Sequence, residues 1–376
     1  MNHSQLYEQR SQRIRTSIAL SEPDRVPFMP CLNNYCVYAS GLNMREVMLN
    51  PLCAEGALRT FMQEFSPDLL NVPGFFPIPP METSGFSAAR WPGPYFGLPD
   101  DTPYQYLDRQ YLEDEDYDTF LDDPTRFILH KLLPEKHRAF AGLAEIEPYL
   151  LCDSAIFAMS VFAQPAVRSA LRAMLLTGEQ TADYLEKAAR LARLAADSGF
   201  PIFGTAAVMA PFDEFADHVR GLLPACLDCI TNPDRLERAL ERWGDVTIPA
   251  RVAQAKAVRA EYVFMPLHCG TDEFMSVQNY ERFYWPGLHR AICAILDAGM
   301  TPLVFCEGRY HSRLEILRSV PKGKVIFLFE DVDFARAKQV LGNVACIAGG
   351  MPTGSPIYET PAQGADQTKR MLGLCA

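Results

Sequence analysis

Residues 301–350 read TPLVFCEGRYHSRLEILRSVPKGKVIFLFEDVDFARAKQVLGNVACIAGG. Three short apolar runs, 301–306 (TPLVFC), 324–329 (KVIFLF) and 344–348 (VACIA), are separated by stretches patterned as helices. A continuous β-branched and aromatic run suits a strand buried on both faces, and a helix between two such runs lets them pair in parallel. The alternation therefore predicts parallel strands with crossover helices.

Four further runs precede this block: 26–32 (VPFMPCL), 69–72 (LLNV), 201–208 (PIFGTAAV) and 262–267 (YVFMPL). Helical patterns lie between them at 180–198, 234–258, 277–298 and 333–341. In the first of these Leu185, Ala188, Leu191 and Ala195 recur at spacings of three and four, which puts them on one face of a helix. Residues 1–20 are polar and helical in pattern and precede the first strand. Seven strands alternating with helices predict a parallel α/β arrangement, and the length allows two domains or one (β/α) barrel with additions over residues 1–376. Residues 73–125 break the alternation with PGFFPIPPMETSG, WPGPYFGLPDDTPYQY and EDEDYDTFLDDP. So many aromatics argue against disorder, and the segment is read as a lid over the barrel mouth.

With 46 acidic against 35 basic residues the net charge is −11, which disfavours binding to a nucleic-acid backbone. No run approaches the roughly 18 apolar residues that suggest a membrane span, and the N-terminus lacks the pattern of a secretory signal. The eleven cysteines are scattered through apolar runs, as free thiols of a cytoplasmic protein would be. Cys226 and Cys229 form a single C-x-x-C without a second pair, read as part of a helical core. Neither a dinucleotide fingerprint, a P-loop nor a nucleophile elbow is present.

Several phrases carry a family likeness: PEKHRAF through MAPFDEFADHVRG (134–221), LHCGTDEFMSVQNYERFYWPGLHRAI (267–292), DAGMTPLVFCEGRYHSRLEIL (297–317) and PKGKVIFLFEDVDFARAKQVLGNVACIAGGMPTG (321–354). In these the chain resembles the uroporphyrinogen decarboxylase superfamily, nearest to its corrinoid-dependent methyltransferase branch. That resemblance implies a (β/α)8 TIM barrel. Relatives carry a further helix and an eighth strand beyond the segment resembling GMPTG, and here the chain ends at Ala376, so the eighth strand is expected to be missing and the C-terminus truncated. The decarboxylase itself carries Arg-Gln-Ala-Gly-Arg after its first strand to hold carboxylates. Here that stretch is Pro30-Cys31-Leu32-Asn33-Asn34-Tyr35, without arginine. A polycarboxylate would lose its charge-assisted contacts there, so a tetrapyrrole decarboxylase is the alternative reading and an inactive truncated barrel the third.

Reactive groups of such barrels sit at the carboxyl ends of strands, which selects His268, Glu307, Glu330, Asp331, Asp333 and the 346–351 stretch. Methyltransferases of the branch place His-x-Cys at the fifth strand, where this chain has Phe305-Cys306-Glu307. Alternation turns Phe305 and Glu307 inward and Cys306 toward the helices. The resemblance implies a zinc site, expected from Glu307, His268 and Cys346, with His268, Glu307 and Asp213 as catalytic residues. Asp213 is also read as a helix cap, His268 as a hydrogen-bonded core histidine, Glu307 as a partner of Arg309 or Arg313, and Cys346 as a buried thiol. Tyr35, Asp272 and Arg309 are the expected cofactor contacts; Asp272 and Asp333 are alternatively helix caps. Aromatics including Tyr35, Phe76 and Tyr104 offer a stacking surface. A site richer in oxygen than its relatives' suits polarising an ether oxygen. The reading is an O-demethylase taking a methyl group from a small methylated substrate, such as an aryl methyl ether, to the cobalamin of a separate corrinoid protein. A homo-oligomer is left open.

Overall fold

The computed structural model describes residues 1–31, 34–72, 74–152, 156–351 and 354–375. Chain order gives β1 (Leu70–Asn71), the hairpin strands β2 (Ala89–Arg90) and β3 (Gln105–Tyr106), β4 (Ile202–Phe203), β5 (Tyr262–Leu267), β6 (Thr301–Arg309), β7 (Ile326–Asp331) and β8 (Cys346–Gly349). β5, β6, β7 and β8 form a parallel sheet in that order, and β1 pairs in parallel with β4. A single parallel bridge, Ala207 to Phe264, carries the second pair across to β5. The strands are linked by helices such as Pro165–Asp197, Pro233–Ala257, Trp285–Asp297 and Phe334–Leu341, giving the expected parallel α/β arrangement.

Period-two alternation divides the β5–β8 sheet into two buried faces. Tyr262, Leu303, Phe305, Ile326, Leu328 and Ala348 meet on one face, together with Ile14 and Ile18 of the N-terminal helix α1 (His3–Ile18). Val263, Met265, Val304, Cys306 and Phe327 pack on the other against the crossover helices. α1 thus stops the amino-terminal end of the inner face, where burying Ile14 and Ile18 stabilises by about 1.5–3 kcal/mol each. Arg10 of α1 donates to the Gly199 carbonyl at 2.5 Å, and Arg13 to the buried Asp68 carboxylate at 2.5 Å. Asp68 also accepts from Arg25 at 2.8 Å and from the Phe28 amide at 2.8 Å.

The run 26–32 is not a strand over its described part, and Leu32 lies outside the described residues. Pro27 and Pro30 remove two ladder donors from it, and its described link to the sheet is the Phe28 carbonyl, which accepts from the Asp68 amide at 2.8 Å and the Leu69 amide at 3.4 Å. In 201–208 the left-handed Gly204 (φ 86°) ends β4 after Phe203. The helix expected over 277–298 contains a π-turn, Tyr280–Tyr284, and Asp333 caps Phe334–Leu341 by accepting from the Arg336 amide at 3.0 Å. Among the described residues no strand follows β8.

Residue 73 lies outside the described residues, and 74–125 is ordered around its own aromatics: Trp91 is fully buried, with the rings of Tyr95 and Phe96 at 5.1 and 4.6 Å. Its edge bridges to His137, whose ring lies between those of Phe86 (5.3 Å) and Phe140 (4.8 Å). Burial, helped by the neighbouring Lys136, lowers the His137 pKa from 6.5 to about 4. The unfolded chain thus binds the proton more readily than the folded one. The stability tied to neutral His137 is complete above about pH 6.5 and is lost as pH falls toward 4. His137→Phe should flatten the acid limb of a denaturant-midpoint series across that window; an unchanged slope would assign the acid sensitivity elsewhere.

Candidate active site

β5 ends at Leu267, and the next two residues leave strand geometry and turn into the mouth. His268 Nε2 is 2.9 Å from Asp217 Oδ1, and the Cys269 amide donates to Asp213 Oδ1 at 2.9 Å. Asp213 sits on the helix Pro211–Phe215 and is fully buried, its second oxygen accepting from the Tyr284 hydroxyl at 2.5 Å. Asp217 follows one turn later on a π-turn, Ala216–Arg220, and its carbonyl accepts from the Tyr106 hydroxyl of β3 at 2.5 Å.

Glu307 arrives from the neighbouring strand. It shares the parity of Leu303 and Phe305, so the strand aims it along the inner face. Immediately after it the β6–β7 register slips between Cys306 and Arg309, where Gly308 adopts φ 74°. The Gly308 amide donates to Glu330 Oε2 at 2.6 Å, and a Cβ at this glycine would stand 3.0 Å from the Thr271 side chain. A left-handed residue with no side chain is needed for this turn.

Electrostatics couple these groups. Burial alone would lower the His268 pKa, but the hydrogen bond to Asp217 and the charges of Asp213, Asp217 and Glu307 raise it to about 9. At neutral pH the imidazole is therefore protonated. Burial raises the Glu307 carboxyl, with Glu330, Asp213 and Asp217 adding to the rise and His268 opposing it. Burial also raises Asp213, against His268 and its two hydrogen bonds. Above them Tyr104 lies with its ring 4.0 Å from Phe76, its phenol pKa raised by burial and by Glu307 and Asp217. Lys136 reaches the same region; burial lowers its pKa to about 8, while Asp217 and Glu214 oppose that.

One oxygen of Asp213, one nitrogen of His268 and the sulfur of Cys269 all lie within 4.8 Å of one another. Oxygen, imidazole and thiolate are donors zinc accepts, and the surrounding carboxylates favour a cation. Burial and Asp213 hold the proton of the Cys269 thiol, and the carboxylates hold that of His268; zinc would displace both on binding, so these residues fit a zinc ion taken up with proton release. The structure thus brings His268, Asp213 and Glu307 to one mouth. Cys346 does not join them: it pairs in register with Ile326, which pairs with Leu303, four residues before Glu307. At about 3.3 Å per residue that places it roughly 13 Å down the strand, among the inner apolar side chains. The metal trio of Glu307, His268 and Cys346 is therefore corrected, with Cys269 and Asp213 as the donors near His268.

The expected cofactor contacts are otherwise engaged. Asp272 donates its amide to the Arg309 carbonyl at 2.9 Å and accepts from the Ser312 hydroxyl at 2.7 Å, tying the β5 and β6 loops together. Arg309 faces Asp331 at 3.3 Å and Glu273 at 3.5 Å, and the buried Arg313 donates to the carbonyls of Gly270 and Thr271 at 3.1 Å. The charge of His268 is what opposes the rise of the Glu307 carboxyl. Tyr35 lies half exposed on a short helix, Tyr35–Ala39, edge-on to Phe61 and Phe65 at 6.0 and 6.1 Å. Asp217, Cys269 and Tyr284 are the partners the sequence reading missed. Asp217 had a signal, standing one helical turn after Asp213.

The family model described as uroporphyrinogen decarboxylase (URO-D) matches residues 158–374, more than half of the chain. Among solved structures, a methyltransferase from Methanosarcina mazei is similar over 97% of this chain and 90% of its own, with a TM-score of 0.61 and 12% identity. That likeness is one of fold, the TIM-barrel-like α/β arrangement. No curated protein matches by sequence. Among the described residues no helix is long and apolar enough to cross a membrane.

Proposed function

The chain belongs to the uroporphyrinogen decarboxylase family, and on that premise we propose that it is a methyltransferase moving a methyl group from a small methylated substrate, first of all an aryl methyl ether, to the corrinoid of a partner protein. The observation that carries the reading is the meeting of Asp213, His268 and Cys269 beside Glu307 at the strand ends. Asp213, His268 and Cys269 would hold a zinc ion, which would supply Lewis acidity toward the ether oxygen.

The chain's own groups do the rest. Asp217 fixes the orientation of the His268 ring, and Tyr284 with the Cys269 amide fixes Asp213. When the methyl carbon is taken without its bonding electrons, the oxygen left behind gains negative charge and needs a proton. Glu307, whose carboxyl holds its proton more tightly because of burial and acidic neighbours, donates that proton to the aryloxide. The ring faces of Phe76 and Tyr104 stack on the aryl group and exclude water from the oxygen.

The test combines elemental analysis with a transfer assay on the full chain. The expected result is one zinc per chain and absorbance changes showing methylation of free cob(I)alamin from 2-methoxyphenol. Neither zinc uptake nor methylation, across methyl ethers, methylamines and methyl thiols, would overturn the reading.

A further inference from the structure

The lid contains a cavity that shares no lining residue with the mouth. It has a volume of about 150 Å³, and Arg90, Arg109 and Arg138 line it together with Phe86, Tyr95 and Phe96. No carboxylate is among its lining residues. In a chain of net charge −11, this is a local concentration of uncompensated positive charge.

The backbone builds this grouping. Residues 85–90 run between two flanking segments: Ala89 and Arg90 pair with Tyr106 and Gln105 on one side, and Phe86 bridges to His137 on the other. Arg90 comes from the middle segment, Arg109 from just beyond β3, and Arg138 from just beyond His137. The Arg138 amide donates to the Gly85 carbonyl at 3.2 Å. Gly85 has φ 65°, and a Cβ there would lie 3.2 Å from the Arg138 Cβ, so the glycine permits this close approach. Arg109 spends its Nε on the Ser87 carbonyl at 3.3 Å and keeps its terminal nitrogens for other partners. Among the described residues none of the three guanidinium groups makes an ion pair.

We propose that this cavity binds a phosphoryl group. A carboxylate offers two oxygens, whereas a phosphoryl group offers three or four acceptors and up to two charges, enough to engage three guanidinium forks at once. The adjoining rings of Tyr95 and Phe96, 4.7 Å apart, present an aromatic edge to whatever the phosphoryl group is attached to. The proposal goes beyond the methyl-transfer reading and stands whether or not that reading holds.

Calorimetric titration of the full chain in chloride-free buffer tests it, with inorganic phosphate, phenyl phosphate and adenosine 5′-monophosphate as probes. At least one should bind with a dissociation constant below about 1 mM. Arg90→Ala and Arg138→Ala should each weaken that binding by about tenfold or more, and Arg138→Lys by less, with thermal midpoints of the unliganded variants unchanged. Equal affinity for free phosphate and phenyl phosphate would assign the site to the ion itself; tighter binding of an organic ester would assign it to the carrier as well. Absence of binding by all three probes, or binding that both alanine variants leave within about twofold, overturns the proposal.

Discussion

On the proposed function, His268→Ala is expected to lower methyl-transfer turnover by about 10²–10⁴-fold and to abolish zinc uptake. His268 is the nitrogen donor of the cluster with Asp213 and Cys269 once zinc has displaced its proton, and before that it is the cationic group on which the charges of Asp213, Asp217 and Glu307 converge. Without it Asp217 loses its imidazole partner and Glu307 the charge that opposes its protonation. His268→Gln, which keeps a hydrogen-bond donor toward Asp217, should preserve the fold and still lose the metal. Turnover and zinc content both within about twofold of the parent would remove His268 from the chemistry and take the proposed centre with it.

The largest expected effect on stability lies at the opposite end of the strands. Asp68→Ala should lower the unfolding free energy by about 1–3 kcal/mol in urea denaturation, because a fully buried acceptor is lost beside the Arg13 guanidinium, which is only 6% exposed and keeps its pair with Asp24 at 2.5 Å. Arg25 and the Phe28 amide lose their acceptor in the same step. Glu8→Ala provides the contrast, since the Arg15–Glu8 pair is 44% and 68% exposed and its removal should change stability by less than about 1 kcal/mol. Equal losses from the two substitutions would mean that burial of the Asp68 network contributes nothing.

How much of this could be read from residue order depended on local chemistry. β5 was found at its observed limits and β6, β7 and β8 close to theirs, because each is a continuous apolar run closed on both faces and separated by a helix. The 26–32 run has similar apolar content, but its prolines decide what its backbone can donate, and that outweighs hydrophobicity. Alternation correctly put Phe305 with the inner face and Cys306 with the helices. The same rule was of no use for Cys269, since its neighbour His268 already lies beyond the strand and adjacent residues no longer diverge. Cys346 had the right residue type and the right inward face. Its height along the strand, which only pairing with Ile326 fixes, was not legible. The family likeness reached further than any single motif, because it rested on phrases spread from residue 134 to 354.

The latch of α1 also sets an order of events during synthesis. Arg10 closes on a carbonyl 189 residues downstream, whereas the partner of Arg13 is only 55 residues away. The entropy of closing a loop grows with the logarithm of its length, but no closure can precede the arrival of its far end. α1 must therefore wait, with Ile14 and Ile18 only partly covered, until Phe203, Tyr262 and the later strands that pack on them have been made. The amino-terminal segment is born early and seated late, and during that interval its apolar side chains are open to holdase chaperones.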